Sequence, residues 1–226
     1  GIALCQETLG ELFTERGDYV SAERQLRRTL ALRRSTTDDW GTAMTLHSLA
    51  ANGLAQGRGP EGMQYLRESM ALREHLGDVR GVAILQTLLA DWLSHIGDLA
   101  TAQDQYERSM VGYQEIGDLG AAAQAAANAG IVAYRRGEST RARTMLLSAV
   151  QRLRPLGPGQ SLADALRTLG QIATDRNETA EAHDYLEDSA IVLDQIREAR
   201  AAGEVPAALD GSEGRASATD PGAATG

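Results

Sequence analysis

The side chains best able to do chemistry in this 226-residue chain are its four histidines. Asp91 and His95 lie one helical turn apart and would offer two metal ligands on one helix face. A zinc site needs three or four ligands, and His47 is expected about two turns away along the neighbouring helix. His75 and His183 complete no ligand set, and no serine or cysteine is placed with a histidine and an acid. We therefore predict hydrogen-bonding histidines, no metal site and no catalytic residue.

A phosphate-binding loop is the second kind of site that the residues suggest. Residues 57–62 read Gly-Arg-Gly-Pro-Glu-Gly, but this segment joins two predicted helices. A nucleotide-binding loop joins a strand to a helix and carries a lysine. All 22 basic residues of the chain are arginines. The segment is therefore predicted to be a turn between helices, and no cofactor is expected.

The composition argues against two further classes of partner. The net charge is −9, whereas a protein that grips DNA or RNA presents a concentrated basic surface. No apolar run approaches the roughly eighteen residues of a membrane-spanning helix. Hydrophobic residues make up 42% of the chain and aromatic ones only 4%. The core is therefore expected to consist of alanine and leucine, which allow helices to approach closely.

The elements that position these side chains follow a repeat of forty residues. Its turn pairs are Gly17-Asp18, Gly57-Arg58, Gly97-Asp98, Gly137-Glu138 and Asn177-Glu178. Five residues after each pair begins comes a small residue, namely Ala22, Gly62, Ala102, Ala142 and Ala182. Four residues further on comes a large apolar one, namely Leu26, Leu66, Tyr106, Leu146 and Leu186. A fixed period of this kind indicates a stack of helical hairpins, each burying its apolar face against the next.

Five hairpins are predicted from the apolar stripes between the turns. First helices are expected near 2–16, 41–56, 79–96, 119–136 and 160–176, and second helices near 19–35, 60–75, 99–115, 139–154 and 178–199. Residues 1–200 are assigned to one repeat domain, and residues 201–226, rich in Ala and Gly, are predicted to be a disordered tail. Because the chain opens inside a helical pattern without methionine, we expect it to be the later part of a longer polypeptide.

The repeat resembles the tetratricopeptide repeat (TPR), in which a Leu-Gly pair of the first helix precedes an alanine and then a large apolar residue. In the first hairpin the pair Leu9-Gly10 is followed by Ala22 and Leu26. The other four hairpins have the same spacing, although some have other residues in place of the Leu-Gly pair. The period is forty residues, against about thirty-four in the family, with the surplus expected in the second helix and the connection after it. The family's tryptophan and closing proline are missing. The resemblance implies an all-α, right-handed superhelical solenoid of about five antiparallel hairpins. The longer unit is similar to the carboxyl-terminal arrays of bacterial AfsR-like and MalT-like signalling regulators.

In TPR-like arrays the first helices line a concave groove, and the resemblance implies which side chains would face a partner there. The polar candidates at these positions are Glu7, Glu11, His47, Asp91, His95, Asn128, Tyr134, Arg135, Arg167 and Gln171. This series is acidic at the amino end, mixed in the middle and arginine-bearing at the carboxyl end. The second helices, with residues such as Arg73, are expected to form the convex face.

The leading hypothesis is a non-catalytic array that binds a protein or a peptide, including another domain of the same longer chain. The resemblance implies the sensor or docking arm of a cytoplasmic bacterial transcriptional regulator. Two alternatives stay open. The first is a receptor for a small-molecule effector, bound between the third and fourth hairpins, where the alanines of residues 121–129 would leave room. The second is an accessory arm of an enzyme whose catalytic domain precedes Gly1.

Overall fold

The computed structural model describes Phe13 and residues 16–203, and the long elements of this part are nine α-helices. They are α1 (Tyr19–Ser35), α2 (Asp39–Ala55), α3 (Gly59–His75), α4 (Val79–His95), α5 (Leu99–Glu115), α6 (Leu119–Arg135), α7 (Ser139–Leu153), α8 (Gln160–Asp175) and α9 (Thr179–Ala201). A 3-10 turn, Arg154–Leu156, joins α7 to α8. Each helix lies within two residues of its predicted bounds. The predicted helix near 2–16, apart from Phe13, and the tail from residue 204 onward lie outside the described residues.

The underlying unit of the fold is a step of twenty residues, half of the repeat seen in the sequence. Each of the first six helices has 17 residues, and three-residue turns connect them. The surplus over the usual TPR length is therefore shared by both helices, and its predicted place in the second helix is wrong. The central turn residues all have positive φ, and they are Gly17, Thr37, Gly57, Gly77, Gly97, Gly117, Gly137, Gly157 and Asn177.

The Gly-Asp pairs end one helix and begin the next, as predicted. The glycines adopt the left-handed conformation that terminates a helix. The aspartates then accept a hydrogen bond from the backbone N–H three residues on, at 2.9 Å for Asp78 with Gly81 and 3.0 Å for Asp118 with Ala121. Thr37 takes the same positive φ of 52° without being a glycine, which strains a β-branched residue.

The two helices of each hairpin cross where the repeat places its small residues. A Cβ atom added to Gly53 in α2 would stand 3.1 Å from the Cα of Gly62 in α3. The side chain of Leu146 fills the space beside Gly130 in the same way in the fourth hairpin. Ala102 is completely buried. The prediction that this position is used for close packing is confirmed.

A serine of the second helix adds a buried hydrogen bond to three of these hairpins. The serine hydroxyl donates to an alanine carbonyl of the first helix 26 residues earlier in every case. The bonds are Ser69 to Ala43 at 2.7 Å, Ser109 to Ala83 at 2.9 Å and Ser189 to Ala163 at 2.8 Å. The fourth hairpin has Ala149 in this position. Each bond fixes the position of the second helix along the first helix of its hairpin.

The alanine-rich helix α6 packs against α5 as well as against its own hairpin partner α7. Ala122 and Ala125 are buried in one cluster with Tyr113 of α5. Small side chains of this kind allow neighbouring helices to approach closely. A small-molecule site between the third and fourth hairpins stays a prediction.

The hairpins are stacked so that the first helices form one row and the second helices another. The first helices α2, α4, α6 and α8 form the inner row, in which α2 contacts α4 and α6 contacts α8. Each second helix packs on the first helix that follows it. The predicted all-α solenoid is confirmed. None of the described helices is long and apolar enough to cross a lipid bilayer.

Candidate binding site

The inner row of helices α2, α4, α6 and α8 carries the candidate binding residues that the structure describes. Glu7 and Glu11, at the acidic end of the predicted groove, lie outside the described residues. The remaining eight residues fall into two groups. His47, Asp91 and His95 belong to the second and third hairpins, and the other five belong to the fourth and fifth.

The three candidates of the second and third hairpins have different surroundings. His47 is half-buried, and this burial, with the nearby positive charge of Arg73, lowers its pKa to about 4. It is therefore neutral at pH 7. The carboxylate of Asp91 accepts a hydrogen bond from the hydroxyl of the buried Tyr106, and His95 is exposed at the end of α4. Within the part of the chain that the structure describes, no three His, Cys, Asp or Glu residues are grouped to hold a metal ion.

In the fourth hairpin Tyr134 and Arg135 connect neighbouring inner helices. Nη2 of Arg135 donates to the carbonyl of Ser94 at 3.1 Å, and its Nη1 donates to the hydroxyl of the same residue. The hydroxyl of Tyr134 donates to Asp175 in the next hairpin at 2.8 Å. Burial, together with this bond and the carboxylate charge, raises the pKa of the Tyr134 hydroxyl. The carboxyl ends of α4, α6 and α8 are thereby tied into one row.

The last two helices of the inner row, α6 and α8, present further polar groups to solvent. Nη2 of Arg167 donates to Asp164 at 2.9 Å, yet 48% of the Arg167 side chain stays exposed. A guanidinium has five N–H donors, so most of this one remains free to meet another acceptor. Gln171 is exposed and Asn128 is half-buried. From the repeat register we predict Arg135 and Arg167 on the same face of adjacent hairpins, about two turns or 12 Å apart along the helices.

A buried arginine at the junctions between hairpins was missed by the sequence reasoning. Arg73 was expected on the convex face, but it forms an ion pair with Asp78 at 2.6 Å, and both side chains are only 8% exposed. The guanidinium lies over the start of α4, where a Cβ atom at Gly81 would stand 1.8 Å from its Nη1. Arg33 lies in the same way beside Gly41 at the previous junction, where its Nη1 donates to the backbone carbonyl of Gly41. The sequence does carry a signal for this arrangement. An Arg is followed by an Asp five residues later and by a Gly three residues after the Asp, and the same pattern recurs forty residues along the chain.

The comparisons with known proteins agree with this architecture. The tetratricopeptide repeat profile matches residues 41–115, which are the second and third hairpins. No curated protein sequence matches the chain. Among solved structures, BtubC (BKLC) from P. vanneervenii has 18% identity and a TM-score of 0.74, with 85% of this chain and 80% of that one covered. The apo form of RapI has 16% identity and a TM-score of 0.77, with 89% and 74% covered.

A third similar structure is a Rap protein complexed with Competence and Sporulation Factor. It has 15% identity and a TM-score of 0.66, and the match covers 83% of this chain and 53% of that one. At these identities the likeness concerns the fold. The described part of the chain is therefore a TPR-like helical solenoid.

Proposed function

We propose that the chain binds an extended protein or peptide segment along its inner row of helices and catalyses no reaction itself. The observation that carries this proposal is the exposed polar surface of the fourth and fifth hairpins. Arg135, Arg167 and Gln171 are exposed there on adjacent inner helices, and the bonds of Tyr134 and Arg135 to neighbouring hairpins hold that surface in place. A surface that is already ordered loses less entropy on binding.

The chemistry of this surface favours a segment that carries carboxylates. Arginine can direct two hydrogen bonds onto one carboxylate. Because Arg135 and Arg167 stand about 12 Å apart along the helix direction, one small anion cannot bridge them, whereas an extended segment can. The Rap protein complexed with a factor is an example of a protein of this fold holding a partner.

We further propose that the array is the sensor or docking arm of a larger bacterial transcriptional regulator in the cytoplasm. The support is the resemblance of its forty-residue unit to the arrays of AfsR-like and MalT-like regulators. In that arrangement a partner on the inner row would be sensed through small adjustments between neighbouring hairpins, the mode in which a solenoid deforms. Sequencing the coding region before Gly1 tests this part, because a nucleotide-binding domain and a helix-turn-helix are expected there. A hydrolase or kinase domain in that place would contradict it.

The inner-row proposal is tested with peptides selected from a random display library on the immobilised chain. We expect the enriched peptides to be acidic and to lose about 1–3 kcal/mol of binding free energy in the variant Arg135→Ala/Arg167→Ala. The loss should shrink as salt rises, because both arginines are partly exposed. The matched control is Arg67→Ala/Arg152→Ala, which removes two exposed arginines from second helices. If the control weakens binding and the inner-row variant does not, the proposal is wrong.

A further inference from the structure

The second helices are joined to one another by arginine–carboxylate pairs that cross from hairpin to hairpin. Four of these pairs link residues 34 positions apart, and they are Arg27–Glu61, Arg34–Glu68, Glu107–Arg141 and Arg154–Asp188. They bridge the first hairpin to the second, the third to the fourth and the fourth to the fifth. Within the described residues no such pair joins α3 to α5, at the junction of the second and third hairpins.

The missing bridge has a cause in the residues at the equivalent positions. Arg67 would meet Thr101, which carries no charge. Glu74 would meet Arg108, but Nε of Arg108 pairs with Asp104 on its own helix at 3.0 Å. No ion pair therefore crosses the space between α3 and α5 at this place.

A cleft of about 590 Å³ opens at this junction and faces solvent on the outer side of the array. Its floor and walls include Val79, Val82 and Val111, and the last is 46% exposed. The buried Arg73 forms part of the wall, and among the described residues its Nε has no hydrogen-bond partner. The volume lies in the range of about 300–1,000 Å³ that is typical of ligand sites.

The rim of the cleft is acidic. Glu74, Asp104, Glu107 and Glu115 line it, together with one exposed arginine, Arg108. Asp104 and Glu107 are paired with arginines, but in the described part of the chain Glu74 and Glu115 have no ion-pair partner. The two unpaired carboxylates stand near the ends of α3 and α5, above apolar walls. This arrangement suits a group with an aliphatic stem and a positive charge at its end.

We propose that this outer cleft binds a basic, partly apolar segment of a partner protein. An arginine or lysine side chain of that segment lays its stem on the valines and places its charge between Glu74 and Glu115. The chain's own residues 204–226 have the wrong charge for this site, with four acidic residues against one arginine. A second copy is disfavoured in the same way, because the net charge of each chain is −9.

The test uses fluorescently labelled hexapeptides and anisotropy at low salt. We expect a peptide of alternating arginine and leucine to bind, and one of alternating glutamate and leucine not to bind. The variant Glu74→Gln/Glu115→Gln should weaken binding by about three- to tenfold, the effect of losing two exposed ion pairs. The control Asp184→Asn/Glu198→Gln makes the same change in net charge at exposed positions outside the cleft and should leave binding unchanged.

A second variant tests the cleft without removing its acids. Val111→Arg places a guanidinium four residues before Glu115 on the same helix, where the two can pair, and it should abolish peptide binding. Circular dichroism of this variant should match that of the parent, because the substituted side chain is exposed. The inner-row variant Arg135→Ala/Arg167→Ala should bind the basic peptide as well as the parent does, which separates this site from the proposed function.

Several results overturn the inference. They are no binding of the arginine–leucine peptide, equal binding of the glutamate–leucine peptide, and binding that survives both cleft variants. If N-acetyl-arginine amide binds as tightly as the hexapeptide, the site receives a small cation and the assignment of a protein segment is wrong.

Discussion

Arg73 and Gly81 should tolerate substitution only together. In the variant Gly81→Ala the new Cβ atom would stand 1.8 Å from Nη1 of Arg73 and 2.0 Å from Oδ2 of Asp78. The guanidinium would have to leave its place over the start of α4, and the buried ion pair of Arg73 with Asp78 would be broken. Alanine is normally favoured over glycine in a helix, so a loss of stability would come from the contacts with Arg73 and Asp78.

The expected cost follows from two opposing effects. Breaking a buried ion pair costs about 3–5 kcal/mol, while replacing a helical glycine by alanine returns about 1 kcal/mol. We therefore expect Gly81→Ala to lower the free energy of unfolding by about 2–4 kcal/mol. At the next junction Tyr113 and Ala121 occupy the equivalent positions. With Arg73→Tyr already present, Gly81→Ala should be neutral or stabilise by up to about 1 kcal/mol.

The assay is urea unfolding of the parent, the two single variants and the double variant. Circular dichroism and tryptophan fluorescence should give the same transition, which justifies a two-state free energy. A coupling energy of about 3 kcal/mol between the two positions is expected, well above the value for independent sites. If Gly81→Ala changes stability equally in both backgrounds, the guanidinium does not occupy the space beside Gly81 and the reasoning is refuted.

Three further perturbations have expected outcomes of their own. Ser69→Ala removes the buried hydrogen bond to Ala43 and should lower the free energy of unfolding by about 1 kcal/mol in urea titrations; an unchanged value would mean that the bond adds nothing. Ala102→Leu forces methylene groups into a helix crossing and should cost about 1–3 kcal/mol in thermal unfolding, and a parental melting temperature would contradict the register of the third hairpin. The folded pKa of His47 is about 4, below the unfolded value of about 6.5, so neutral His47 contributes stability that is lost as pH falls between these values. The parent should therefore lose up to about 3 kcal/mol relative to His47→Gln between pH 7 and pH 4, and parallel pH profiles would show that His47 is accessible to solvent.

The helices and turns were predictable because their signals are local. Gly77-Asp78 and Gly117-Asp118 each combine a residue that ends a helix with one that caps the next, and the structure uses both as turns. Thr37 carries no such signal. Its place in the twenty-residue step is set by the neighbouring turns and by the packing of α1 on α2.

The inner row was predictable in position but not in its bonds. The register identified Asp91 and Arg135 as inner-row residues, yet it could not show that Tyr106 donates to one and that Ser94 accepts from the other. Those bonds depend on side-chain conformations in neighbouring hairpins. The binding roles of the inner-row residues stay predictions.

The outer cleft was not predictable, because it lies where Arg108 pairs with Asp104 and not with Glu74. Arg108 lies within reach of Asp104 on its own helix and has Glu74 at the equivalent position of the previous hairpin. Which pair forms depends on the side-chain conformation of Arg108, which the spacing of residue types does not determine. The sequence alone is compatible with either ion pair.

The twenty-residue step limits how such an array can change its length during evolution. From Gly17 to Asn177 the turn residues with positive φ follow one another at a constant spacing of twenty residues. Gain or loss of two successive helices would keep all later side chains on their present side of the array. Gain or loss of one helix would exchange the two rows downstream, turning Arg135 and Arg167 outward and bringing the ion-paired arginines to the inner surface. Tandem duplication can therefore extend this protein only by whole hairpins without inverting its surfaces.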